Sequence, residues 1–316
     1  PYFNIAMEEY LTLHGDVNTI TLFLWQNEHT IVIGRNQNAY TQVKVSQFQE
    51  DNGNLVRRLS GGGAVYHDLG NLNFTFIMNS KYFDVHRQSN VILNALKQYG
   101  LQASFSGRND LIIDQKKFSG NAYYHHQGRS YHHGTLLVNV EMDTLSRYLN
   151  VSQQKLSSNA VQSIKSRVTN LSALNPDITV DSLKQHLVKA FADEYHGELS
   201  MRDFTTQELE FIETRSKHFA SDDWNFNPRF KATFEQRARF AWAETAITLE
   251  VVNNIITNAD IDSDVMISDF TSEFKHKLLH TRFEFEAIKD IISTLNIEPD
   301  WKDDLASLFM EKQHDL

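Results

Sequence analysis

Between Phe3 and Leu13 the apolar residues Phe3, Met7, Tyr10 and Leu11 recur at helical spacing, which predicts a helix at the start of the chain. Thr19–Trp25 and Thr30–Ile33 are apolar, β-branched runs of strand length. After Gly61–Gly63 come Ala64–His67, a turn-like Asp68-Leu-Gly-Asn71, and a run in which Leu72, Phe74, Phe76 and Met78 alternate. That alternation predicts a half-buried strand closing a hairpin. A helix is predicted over Ser89–Tyr99, and short strands at Leu111–Ile113 and Leu136–Val138 with a glycine-bearing hairpin region between them. Helical patterns dominate Asp181–His196 and Thr206–His218. Asp, Asn and Pro then cluster around Trp224 and Phe226, so Ser221–Lys231 reads as a linker. Beyond it Arg239–Trp242 and Ala246–Val251 read as strands. Ile288, Ile291, Ile292 and Leu295, then Trp301, Leu305, Leu308 and Phe309, repeat with helical period. The pattern predicts a large domain over 1–232 and a small strand-plus-helix domain over 233–316.

The 316 residues, 41% of them apolar, are enough for a full core without staples. Lys plus Arg total 30 against 40 for Asp plus Glu, a net charge of -10. A protein that tracks duplex nucleic acid needs a basic footprint, so no nucleic-acid partner is expected. No run of about 20 apolar residues occurs, so no membrane partner is expected either. The absence of cysteine removes disulfides, thiolate metal sites and cysteine nucleophiles together, and fits a reducing, cytoplasmic setting. The chain begins at Pro1 rather than methionine, which leaves a leader open.

The most informative stretch is Arg57-Arg-Leu-Ser-Gly-Gly-Gly-Ala-Val-Tyr-His-Asp-Leu-Gly-Asn71. It is neither a Walker loop nor a G-x-G-x-x-G fingerprint. Three consecutive glycines suit a loop where a ligand touches the main chain; exposed N–H groups there cradle phosphate, and Arg57 or Arg58 can pair with its charge. A flexible turn with two surface arginines fits the same residues equally well. Four further segments stand out: Ser106-Gly-Arg-Asn-Asp110, Lys116-Lys-Phe-Ser-Gly-Asn-Ala122, His132-His-Gly-Thr-Leu-Leu137 and Ser163-Ile-Lys-Ser-Arg-Val-Thr-Asn-Leu171. Singly each is generic.

In this order and spacing the segments resemble the lipoate–protein ligase family over essentially the whole chain. The resemblance implies an α/β fold of the α+β type: a large domain with mixed β-sheets flanked by helices, and a small α/β C-terminal accessory domain. It implies two reactions. Lipoate and ATP, with Mg²⁺, give lipoyl-AMP and pyrophosphate; then a lysine of an apo lipoyl domain of a 2-oxoacid dehydrogenase E2 subunit, or of the glycine-cleavage H protein, takes the lipoyl group. Carried over by matching positions, Arg58, Gly63, Ala64, Val65, Tyr66, Asn109, Asp110 and Lys117 bind ATP or the adenylate. Lys117, Arg58, Gly62, His67 and His133 bind lipoate, and Lys117 is the catalytic residue. Asp110 is also a weak candidate for Mg²⁺. Val65 and Phe74 read equally as tunnel lining and as core. The run Trp224-Asn-Phe-Asn-Pro228 lacks a glycine that the family often carries near the linker.

The chemistry explains the residue types. A carboxylate and the ATP phosphates repel one another, so joining them needs fixed positive charge and N–H donors in a water-poor site. A compact ammonium can touch two oxygens that move during reaction. His125 and His126 with His132 and His133 also invite a metal reading, though the first pair lies outside the matched segments and no carboxylate ligand is evident nearby. The cysteine acyl-enzyme route of related octanoyltransferases is closed, and the Gly-Arg-Gly-rich loop of biotin–protein ligases is absent. A lipoyltransferase using preformed lipoyl-AMP and a catalytically silent lipoate-binding protein remain as alternatives. Octanoate is expected as a second substrate, because a pocket gains only about 1–3 kcal/mol per added apolar group.

Overall fold

A computed structural model describes residues 1–107, 109–149, 168–227, 230–267 and 269–310. Its contacts divide the chain into two compact units. The first comprises Pro1–Val32, Val43–Val56 and Val65–Ser221; the second comprises Ile33–Gln42, Arg57–Ala64 and Asp222–Leu316.

In the first unit a six-stranded sheet runs in the order β1-β5-β9-β8-β7-β6 among the described residues. Its strands are β1 (Thr21–Trp25), β5 (Asn71–Asn79), β6 (Ser104–Ser106), β7 (Asp110–Ile113), β8 (Lys116–His126) and β9 (Arg129–Leu137). Neighbours pair antiparallel, and a parallel bridge joins Lys117 to Val168. A smaller sheet has the order β3-β2-β4, from β2 (Thr30–Ile33), β3 (Asn54–Arg57) and β4 (Val65–His67).

One face of the large sheet carries Leu72, Phe74, Phe76, Leu111, Phe118 and Leu136. These pack with Val91, Ile92 and Leu96 of the helix Val85–Lys97 and with Leu183, Leu187 and Phe191 of the helix Val180–Tyr195. Local chemistry sets the helix starts: the Asp84 carboxylate accepts the His86 and Arg87 amides, and Thr179 with Ser182 forms a reciprocal capping box. The helix Tyr2–His14 covers part of the opposite sheet face and packs on the helix Thr206–Ala220.

The predicted hairpin does not form. β4 pairs with β2, whereas β5 pairs with β1 and β9. The alternation in β5 is genuine, but Asn71, Asn73 and Thr75 between the apolar residues are buried too. A central strand covered on both faces cannot be told from an edge strand by alternation alone, because buried polar residues partnered by hydrogen bonds look like solvent-facing ones in sequence.

In the second unit β10 (Phe234–Arg239), β11 (Glu244–Val252) and β12 (Ile255–Ser263) form an antiparallel meander. The predicted strand Arg239–Trp242 is instead mostly the β10–β11 connection, where the Phe240 amide donates to Ala243. The helices Phe270–Leu278, Phe285–Ser293 and Pro299–Met310 close the core with Phe274, Ile292, Leu305 and Phe309. The linker segment contains the short helix Asp222–Asn225.

Candidate active site

The sheet face opposite the apolar core carries the first unit's concentrated polar chemistry. A bulge creates it: Leu111 pairs with Ser119 but Ile112 pairs with Lys117, which leaves Phe118 as an extra residue on β8. Lys117 and Gly120, three apart, therefore share a face that regular alternation would deny them. A Cβ on Gly120 would stand 3.0 Å from Lys117 Nζ and 3.1 Å from its Cε, so the bare backbone of Gly120 is the floor under the lysine stem. Asp110, directly across from Gly120, places Oδ1 2.8 Å from Lys117 Nζ. The two side chains are 37% and 36% exposed, so the ammonium is fixed yet reachable. Thr169 donates its amide to the Lys117 carbonyl at 2.9 Å, and Thr135 Oγ1 accepts the Gly120 amide at 3.2 Å. Asn109 donates its side-chain amide to the Asn121 carbonyl. The segments around Asn109–Asp110, Lys117–Ala122 and His133–Leu137 thus meet on neighbouring strands, and Val168–Leu171 bonds alongside them through Lys117 and Leu137.

Farther across this face the cluster is buried. Glu8, fully buried on the first helix, receives the Thr75 hydroxyl at 2.7 Å and lies 2.8 Å from His133 Nδ1. Trp25 Nε1 donates to Thr75 Oγ1. His67 Nδ1 is 3.2 Å from the Asn27 amide nitrogen and 3.5 Å from that of Asn73, with Trp25 edge-on to its ring. Tyr66 bonds through its hydroxyl to His29 Nδ1, and burial pushes that phenol up to about 12. Val65 pairs with Val32. Phe74 belongs to the core on the other face.

The histidines do not gather. Strand alternation sends His132 and His133 to opposite faces. His132 lies between Gln88 Oε1 and Asn121 Oδ1, each 2.9 Å away, and burial lowers it to about 3, so the ring is neutral. His125 Nδ1 meets Ser130 Oγ at 2.6 Å. Among the described residues no group of His, Asp or Glu suited to a metal ion occurs.

The glycine segment has its own setting in the second unit. Gly61 has no room for a side chain: a Cβ would stand 2.2 Å from the Val265 carbonyl oxygen. Gly62 has φ +93° and donates its amide to the same oxygen at 3.1 Å. Gly63 alone of the three faces open space. Arg58 bonds to Ser60 Oγ and to the carbonyls of Gly61 and Gly63, shaping the strip from within. Arg57 donates to the carbonyls of Gly34, Arg35, Gln37, Trp224 and Asn225, and burial lowers its pKa to about 10. Ala64 ends the segment, half-buried.

Arg108, Ser163–Arg167 and Pro228 lie outside the described residues. Sequence reasoning missed Glu8, Trp25, Asn27, Asn73, Thr75 and Thr135. The available signal was polar residues in apolar surroundings: Glu8 shares the buried surface of a helix with Ile5 and Leu11, and Asn73 and Thr75 interrupt a strongly apolar strand.

Family models match both the N-terminal and the C-terminal parts of the chain. Residues 1–192 match the lipoyl protein ligase A/B catalytic domain, and residues 227–309 match the bacterial lipoate protein ligase C-terminus. The chain is 37% identical over 309 residues to the lipoate-protein ligase A of Psychrobacter cryohalolentis, covering 94% of this chain and 90% of that one. The crystal structure of P. falciparum LipL1 in complex with lipoate superposes with a TM-score of 0.82 at 28% identity, covering 97% of this chain and 95% of that one. A bipartite lipoate protein ligase from Thermoplasma acidophilum, described with its E2 lipoyl domain, gives a TM-score of 0.67 at 26% identity, covering 74% of this chain and 94% of that one.

Proposed function

The chain belongs to the lipoate–protein ligase family, and from that premise we propose the steps its residues carry out. It is an ATP-dependent ligase that joins lipoate to protein. Lipoate and ATP condense to lipoyl-AMP with release of pyrophosphate, and the ε-amine of an acceptor lysine then displaces AMP. The observation that carries this reading is Lys117, held over the bare backbone of Gly120 by Asp110.

The Lys117–Asp110 pair is partly exposed, so an arriving carboxylate or phosphate can replace Asp110 as the partner of the ammonium at modest cost. The ammonium then offsets the repulsion between the lipoate carboxylate and the α-phosphate, and stabilises the charge that builds as the P–O bond forms. The Asn109 side-chain amide donates a hydrogen bond to the nucleotide, and the Asp110 carboxylate accepts one from it. Gly63, Ala64, Val65 and Tyr66 supply backbone N–H groups to it, Arg58 contributes its positive charge, and Gly62, His67 and His133 contact lipoate. Asp110 belongs to no group of three or more His, Asp or Glu that could hold a metal ion among the described residues, so a dedicated magnesium site does not fit. We keep magnesium as the counter-ion of ATP itself, since that hard cation prefers phosphate oxygens, and derive no step through it.

The acceptor is an apo lipoyl domain of an E2 subunit or an H protein. No helix among the described residues is long and apolar enough to cross a membrane. On this reading the enzyme works in the cytoplasm, where ATP is supplied. Incubation with lipoate, Mg-ATP and apo lipoyl domain, followed by intact mass of the acceptor, tests the proposal; an unmodified acceptor overturns it. Lipoate-dependent ATP–pyrophosphate exchange separates a full ligase from a transferase that needs preformed lipoyl-AMP. Octanoate is expected to be transferred as well, and strict lipoate selectivity would count against the weakly discriminating pocket.

A further inference from the structure

Asp260 and Asp262 are each 6% exposed on β12. A buried carboxylate is costly unless hydrogen bonds satisfy it, so what satisfies these two is informative. Asp262 Oδ1 accepts the Asn38 amide at 3.0 Å, and its Oδ2 accepts the Thr41 hydroxyl at 2.5 Å. The Gln42 side chain donates to both oxygens. Asp260 Oδ2 accepts from the Asn38 side chain at 2.5 Å, and Oδ1 from Asn227 at 2.7 Å. Arg237 Nη2 lies 3.7 Å from Asp262, and the Arg57 guanidinium feels the charge of both acids. The donors are otherwise neutral, and most come from residues 38–42, so the two acids act as anchors for that segment.

The residues immediately before the anchored segment, 33–37, are in turn the scaffold of the glycine strip. Arg35 donates its amide to the Ser60 carbonyl at 2.8 Å, and the Ile33 carbonyl accepts the Arg58 amide at 3.0 Å. Arg57 spans the same turn through the Gly34, Arg35 and Gln37 carbonyls and reaches Asn227, itself bonded to Asp260. Asn36 closes the ring, accepting from the Ser263 amide and donating to the Ile267 carbonyl. Every link lies within the second unit.

We infer that Asp262, supported by Asp260, is a positioning residue for nucleotide binding: it holds residues 38–42, and through the adjoining turn 33–37 the shape of the Ser60–Gly63 strip. The inference rests on the reading of that strip as the nucleotide site. Asp262→Asn keeps the size but replaces one acceptor by a donor facing other donors, and Thr41→Val removes a donor from the far side of the same bond. In pyrophosphate exchange on the full chain, Asp262→Asn raises KM for ATP about tenfold while KM for lipoate stays within about twofold. Thr41→Val moves KM for ATP the same way by less, and the double variant is no worse than Asp262→Asn alone, because both cut one link. Amide hydrogen exchange over residues 58–66 speeds up in both variants without substrate present.

An unchanged KM for ATP in folded Asp262→Asn overturns the inference. So does an equal rise in both KM values, which would mark general loosening. If Asp262→Asn does not fold, Thr41→Val decides alone, and an unchanged KM for ATP there overturns it. Failure of the wild-type enzyme to exchange pyrophosphate with lipoate sinks the nucleotide reading instead. Amide exchange over the strip, measured without substrate, still reports separately whether Asp262 shapes it.

Discussion

In the proposed mechanism Lys117 depends on its floor and its partner as much as on its charge. The ammonium lies along Gly120 and against Asp110 before any substrate arrives, so little reorganisation is left for the reaction. Lys117→Ala therefore keeps the fold, since the residue is partly exposed, and lowers lipoyl-AMP formation by roughly 10²–10³-fold. Circular dichroism with a pyrophosphate-exchange assay checks both halves, and near-normal turnover would remove the lysine from the mechanism. Gly120→Ala is the subtler test. The strand tolerates alanine, but the new methyl stands against Lys117 Cε and Nζ. Displacing the ammonium by a fraction of an ångström is expected to lower kcat on the order of tenfold, with a melting temperature close to wild type. Equal kcat would show that the lysine is free to find its position from elsewhere.

At the scale of the element, the triple-glycine strip divides its labour. Gly61 and Gly62 are dictated by close approach to Val265 and by a left-handed backbone, whereas Gly63 faces open space. Gly61→Ala is expected to destabilise the protein by about 1–3 kcal/mol, because the methyl collides with backbone rather than with a movable side chain. Gly63→Ala leaves stability near wild type and changes nucleotide affinity if the strip binds the nucleotide. Chemical denaturation of both variants beside ATP binding measures the contrast. The same lesson holds for β5, whose alternation announced a strand while its central place in the sheet depended on partners distant in sequence. Helix ends are set locally: Thr205 and Glu208 cap the helix Thr206–Ala220 within four residues, and Asp84 starts the helix Val85–Lys97 four residues before the expected Ser89.

Across the whole molecule, buried polar chemistry sets the response to acid. His132 stays neutral down to about 3 in the fold, while in the unfolded chain it takes up a proton near pH 6.5. Below pH 6.5 the unfolded state binds a proton that the folded state refuses. This contribution to stability is full above pH 6.5 and is lost as pH falls toward about 3, by at most about 1.4 kcal/mol per pH unit. Urea midpoints at about pH 7 and about pH 5 are expected to fall for the wild type and to fall less for His132→Gln, which keeps an amide between Gln88 and Asn121. Parallel slopes would assign the acid sensitivity to other groups.

Local patterns carried much of this protein in plain view. Helical periodicity is short-range, so the helices beginning at Tyr2, Val180 and Thr206 were legible within a few residues, and the motifs around Lys117 marked it as the candidate catalytic residue. Missed were β12, for which no strand was predicted, and Glu8, an acid on a buried helix surface. Both are polar groups whose partners come from distant segments, Asn38 and Thr41 for Asp262, Thr75 and His133 for Glu8. Tertiary structure alone decided which strand neighbours which, which glycines serve packing and which leave space, and which acids are buried. Those outcomes depend on hydrogen bonds and close contacts between residues far apart along the chain, and no local periodicity encodes them.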